Sequence, residues 1–187
     1  MTDSDHRPPP MPDWVRPPDG VIPGSSCQRV ALVRTDEIVL MLDGFLVYPS
    51  GVEFRILGAI RPEPAVPLLR DMPRWSEPHP AEIPAHGETF ANFVRLRIEF
   101  GDGTEWTNVG WAPVFGKDVP AERTVVELGG HGSDRRFENH WWMWPLPPPG
   151  QITFVCSWPA RRIHDARAVI DGDELRARAA DAEVLWN

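Results

Sequence analysis

An all-β fold, a two-sheet antiparallel sandwich of immunoglobulin-like or jelly-roll type, is what this sequence predicts. Three observations point to it. Apolar residues recur with period two over several short runs, as half-buried strands require. Clusters of Gly, Pro, Asn and Asp separate those runs at short intervals and supply turns. Only one stretch, near the C-terminal end, has helical spacing. At 187 residues with 42% hydrophobic content, the chain is the size of one domain and can bury a proper core.

The first 24 residues hold prolines 8, 9, 10, 12, 17, 18 and 23, and such a run reads as a flexible, polyproline-like arm. Trp14, Val15, Val21 and Ile22 give it apolar points with which to dock. The domain itself is expected over 25–187. Gln28–Arg34 is apolar and β-branched, and Thr35-Asp36-Glu37 breaks it. In Ile38–Tyr48 the Asp43-Gly44 pair predicts a bulge or bend. Val52–Ile60 alternates Val52, Phe54, Ile56 and Ile60 with Glu53, Arg55 and Leu57.

Residues 61–90 form a long proline-rich loop, with at most a helical turn at 66–70. Prolines 62, 64, 67, 73, 78, 80 and 84 forbid a central strand there. Pro67, Leu68, Leu69 and Trp75 predict that part of it packs down. Phe93–Phe100 is the clearest strand: Val94, Leu96, Ile98 and Phe100 face one way, Arg95, Arg97 and Glu99 the other. Gly101-Asp102-Gly103 turns it back into Thr104–Val109. A loop with Pro113, Gly116 and Pro120 leads to Thr124–Leu128. The glycine-rich GGHGSDRR (129–136) reads as a turn. The next expectation is a Trp-rich hairpin, Arg136–Trp158, closed by Pro145-Leu146-Pro147-Pro148-Pro149-Gly150. Ile163–Ile170 adds a last strand, and a helix is expected over 173–182, capped by Asp173 and followed by Leu185 and Trp186 packed on the body. That makes about nine strands.

Charge narrows the partners. Net charge is −8, Lys117 is the only lysine, and no basic stripe offsets the acids, so nucleic acid is not an expected partner. The N-terminus has no apolar signal core and no 18-residue apolar run exists; a cytoplasmic location and no membrane contact are the expectations. Cys27 and Cys156 are too few for a disulfide framework and read as buried thiols.

Candidate chemistry is sparse. His131, Ser133 and Asp134 lie side by side on a turn, where a nucleophile, base and orienting acid rarely converge. Among the histidines (6, 79, 86, 131, 140 and 164) none is spaced as a ligand pair. Glu138 and His140 share a strand face that His131, His79 or His86 would have to complete for zinc, so no metal and no cofactor are expected. Glu53, Glu99, Glu105, Glu127 and Glu138 occupy the polar half of alternating strands, which reads as a solvated face.

The tryptophan-dense strand is the better candidate. Alternation gives it a core face, Phe137, Trp141 and Met143, and an outer face, Arg136, Glu138, His140, Trp142 and Trp144. Something must cover Trp142 and Trp144: the 61–90 loop, the C-terminal helix with Trp186, or a partner.

FVRLRIEFGDGTEWTN at 93–108, the GGHG that follows, WMWPLPPPGQITFVCSWP at 142–159 and the short helix before a Leu-Trp end are a recognisable set. With them the second half resembles a group of small all-β proteins of high-GC Gram-positive, actinobacterial type. The likeness covers about 90–187, with a weaker one over 28–60. It implies a single cytosolic all-β domain and brings no activity, cofactor or catalytic residue. The expectation is therefore a non-enzymatic module that binds a protein, or a second copy of itself, through Arg136, His140, Trp142 and Trp144. The alternative is a carbohydrate-binding or hydrolytic domain whose cleft is roofed by residues 61–90.

Overall fold

The computed structural model describes residues 11–61, 73–75, 93–109, 120, 122–133 and 135–186. Prolines 8, 9 and 10, the helical turn at 66–70, His79, His86, Asp134 and the loop around Pro113 and Gly116 lie outside them. In chain order the strands are β1 (Val21–Ile22), β2 (Gly24–Ser26), β3 (Val30–Arg34), β4 (Ile38–Val47), β5 (Val52–Ile60) and β6 (Arg95–Glu99). They continue with β7 (Glu105–Thr107), β8 (Thr124–Ser133), β9 (Arg136–Trp144), β10 (Gln151–Trp158) and β11 (Ile163–Asp171). Helix α1 (Gly172–Arg178) and β12 (Glu183–Val184) end the chain.

The fold is an all-β sandwich. One sheet runs β2-β4-β5-β9-β8, with β3 sharing the β2 edge of β4; the other runs β11-β10-β6-β7. All named pairings are antiparallel. The inward halves of the alternating strands meet between the sheets. Phe54 of β5 stacks on Trp141 of β9 and meets Phe154 of β10 edge-on at 5.3 Å, which ties the two sheets through one aromatic column. Trp75, from the proline-rich stretch, packs edge-to-face on Trp141 at 5.7 Å.

The expected hairpin over Arg136–Trp158 does not exist. β9 pairs with β5 and β8, whereas β10 pairs with β6 and β11. The proline run at 145–150 carries the chain from one sheet to the other. Prolines suit such a crossing because they need no ladder partner for a missing N–H. The glycine-rich stretch is also not a simple turn: β8 continues through it to Ser133, opposite Arg136 of β9. The pairing slips between Glu127 and Gly129, and Gly129, at φ 123°, takes the left-handed backbone this bulge requires. The bulge expected at Asp43-Gly44 is present, with Gly44 at φ 64°.

At the ends of the chain, part of the expected flexible arm belongs to the domain. Trp14 is buried, β2 pairs with β4, and β1 pairs with β12. The helix stops at Arg178, continues as a 3-10 turn to Asp181, and is capped by Asp171, not Asp173; the Asp171 carboxylate accepts the N–H groups of Asp173 and Glu174. Leu175 seats α1 on the core. Leu185 and Trp186 do not plug the body: β12 draws them out along β1, and Trp186 is 74% exposed. Cys156 is buried, which pushes its thiol up to about 12, but Cys27 is exposed.

Candidate functional site

The outer face of the six-stranded sheet gathers the chemistry. Register sets Asp43 of β4 opposite Arg55 of β5, and Arg55 opposite His140 of β9; Leu57 faces Glu138, and Glu53 faces Trp142. Side chains on one face of neighbouring strands touch directly and diagonally, and a ladder of charge results. Arg55 Nη2 donates to Asp43 Oδ2 at 3.0 Å and Nη1 to Glu138 Oε1 at 3.2 Å. His140 lies between two carboxylates, with Nε2 2.8 Å from Glu138 Oε1 and Nδ1 3.1 Å from Glu53 Oε1. A neutral ring can donate to only one of them. Desolvation pushes the Glu138 carboxyl up, but the His140 hydrogen bond and the Arg55 charge outweigh it and hold the group below its ordinary value.

Beside this ladder the face opens into a cleft of about 710 Å³. Val39, Met41, Leu57 and Ala59 make its floor, and Arg29, His131, Ser133, Arg136 and Glu138 its rim. The three larger floor residues are half-buried and Ala59 is exposed. Arg29 reaches back to Asp43 at 3.5 Å. Arg136 is exposed and makes no ion pair among the described residues.

The four expected binding residues part company here. Arg136 stands on the cleft rim and His140 in the adjoining ladder. Trp142 is fully buried and offers no surface. Among the described residues its cover comes from elsewhere than expected: the indole N–H donates to Asp13 O at 2.8 Å, and Tyr48 packs edge-on at 5.5 Å. An indole left on an outer face needs both apolar cover and an acceptor; Tyr48 contributes to the first and the Asp13 carbonyl is the second. Trp144 is half-buried in a separate cleft of about 550 Å³ with Glu105, Glu122, Arg123 and Pro145.

Sequence reasoning passed over the cleft floor. The signal was present: Ile38-Val39-Leu40-Met41-Leu42 is apolar at every position, where a half-solvated strand should alternate. Of the zinc candidates His79 and His86 lie outside the described residues, and among those described no group of three His, Cys, Asp or Glu is placed to hold a metal. Nor do His131 and Ser133 form a catalytic set; both are exposed and face β9 residues Glu138 and Arg136 across the ladder. The roof that a carbohydrate cleft would need falls largely outside the described residues. No helix among them is long and apolar enough to cross a membrane. No protein-family profile, curated protein or solved structure matches the chain.

Proposed function

We propose that this protein is a binding module that engages a protein partner through the cleft on the outer face of the six-stranded sheet. The observation that carries the reading is the half-buried apolar floor of Val39, Met41 and Leu57, open among the described residues, beside a ladder of ion pairs. Half-buried aliphatic side chains beside an arginine with no ion pair among the described residues make the composition of an interaction patch, with an apolar centre and a polar rim. Asp43 already holds Arg29, and Glu138 already holds Arg55 and His140. Arg136 is therefore the charge left to answer a partner carboxylate, beside a side chain that fills the floor.

The face itself supplies the test. A photocrosslinking residue in place of Ala59, on the floor, is expected to trap a partner of defined mass in cells. The same residue in place of Arg97, on the opposite face of the sandwich, is expected to trap none. Identical products from the two positions, or none from either, would defeat the proposal.

A further inference from the structure

β8 closes one end of the six-stranded sheet, and its outer edge is bare. The run from Leu128 to Ser133 is exposed at every position. Gly129, Gly130 and Gly132 have no side chain to expose, so their exposure is that of the main chain. Among the described residues no strand pairs with this edge; β9 takes the other one. A Cβ built on Gly129 would meet nothing within 4 Å. Natural edges are usually guarded by lysine, proline or charge, and Leu-Gly-Gly-His-Gly-Ser has none of these. Among the described residues its bulge is the one guard, and past it Gly129–Ser133 run in unbroken register against β9. The end strand of the other sheet, β11, shows the contrast: it carries Asp165 and Arg167 along its exposed positions.

We infer that β8 is a self-association edge, at which two copies of this chain pair β8 against β8 in antiparallel fashion and merge their large sheets into one. A bare row of backbone groups selects an extended strand. Charge selects the second copy. The net charge of −8 is not concentrated here: between its ends β8 bears only Glu127, whose carboxylate accepts from Asn139 Nδ2 at 2.7 Å, and His131. Its two ends differ in sign. Before β8 stand Glu122 and Arg123, and Arg123 is neutralised by Asp102 at 3.1 Å, which leaves the end acidic. After it come Asp134, Arg135 and Arg136, which leave the tip basic. Antiparallel pairing sets each basic tip toward the other copy's acidic end. A twofold axis near Leu128 and Gly129 brings Arg135 of one copy toward Glu122 of the other, and both side chains are exposed. The pairing uses the main-chain edge of β8 and leaves the apolar cleft floor free, while His131, Ser133 and Arg136 border both sites.

Sedimentation velocity on the full chain, from about 1 μM to 1 mM, tests this over the range in which weak pairs form. The expected result is a species of twice the 21.1 kDa chain mass, with amide exchange over 128–133 slowing as concentration rises. Leu128→Lys should weaken association by about tenfold or more, since it sets like charges across the pair. Glu122→Arg and Arg135→Glu should each weaken it, and the double swap should restore it. Thermal midpoints report that the variants remain folded. A monomer throughout, a dimer indifferent to the charge swaps, or amides at 128–133 that ignore concentration would overturn the inference.

Discussion

The two outer faces of this sandwich are built from the same alternating strands and come out as different surfaces. On the four-stranded sheet, Arg97 pairs with Glu99 at 3.1 Å and Glu105 at 3.6 Å, and Arg167 grips Glu99 through two bonds of 3.0 and 3.2 Å. These side chains are 32–60% exposed, and such surface pairs contribute little to stability. On the six-stranded sheet the acidic partners are more enclosed: Asp43 and Glu138 are only 20% and 22% exposed, and Glu53 is 17% exposed. That face also holds a buried tryptophan and an apolar floor. The difference teaches that alternation assigns a residue to a face but does not decide whether the face is wet. That depends on what the rest of the chain lays over it.

The largest way to sharpen the contrast is Trp142→Ala. It removes a fully buried indole together with its Tyr48 contact and Asp13 hydrogen bond, and should cost about 3–5 kcal/mol by denaturant unfolding. A loss under about 1 kcal/mol would mean that the N-terminal segment does not seal this site. Next in size is a matched pair of arginine truncations. Arg55→Ala leaves Asp43 and Glu138 short of a partner and should cost about 1–2 kcal/mol, whereas Arg97→Ala should stay within about 0.5 kcal/mol. Equal losses would erase the distinction between the faces.

The smallest effect is acid sensitivity. The folded-state value of Glu138 is lowered, so its contribution is fully present above the unfolded value, about 4.3 for glutamate. It is lost as pH falls through the lowered folded value. Glu138→Gln should therefore make the thermal midpoint less steep in pH over that interval. An unchanged acid slope would show that the ladder does not hold this carboxylate.

The parts of the fold that local pattern controls were legible. Val52–Ile60 and Phe93–Phe100 alternate, and the structure buries the inward residues that alternation names, apart from Ile60, which is half-buried. The turn at 101–103 carries the signature of its own geometry. Partner choice was not legible. Arg136–Trp144 and Gln151–Trp158 look like a hairpin because they are adjacent and strand-like, yet their partners lie in β5, β8, β6 and β11. Asn108 shows the same limit on a smaller scale. It is buried, accepts the Leu96 N–H at 2.8 Å and donates to Trp75 O and Val94 O, both at 2.8 Å. No local pattern announces a polar residue that will be satisfied by three distant backbone groups. At the site, Arg136 and His140 were found by face assignment, but Trp142 was misplaced because its lid comes from more than 100 residues away in sequence, at Asp13.

The proline crossing at 145–150 also governs how the molecule must be assembled. Because it separates β9 from β10, neither sheet is a contiguous piece of chain. β5 waits for β9, as in the Phe54–Trp141 pair, and β6 waits for β10, as in the Ile98–Phe154 pair. Long loops must close before either sheet gains its central ladder, and such closure is what slows β-rich chains. A ribosome that has released only the first hundred residues has therefore exposed the strands of both sheets and completed neither. Once the segment from β8 through β11 emerges, it completes both sheets together.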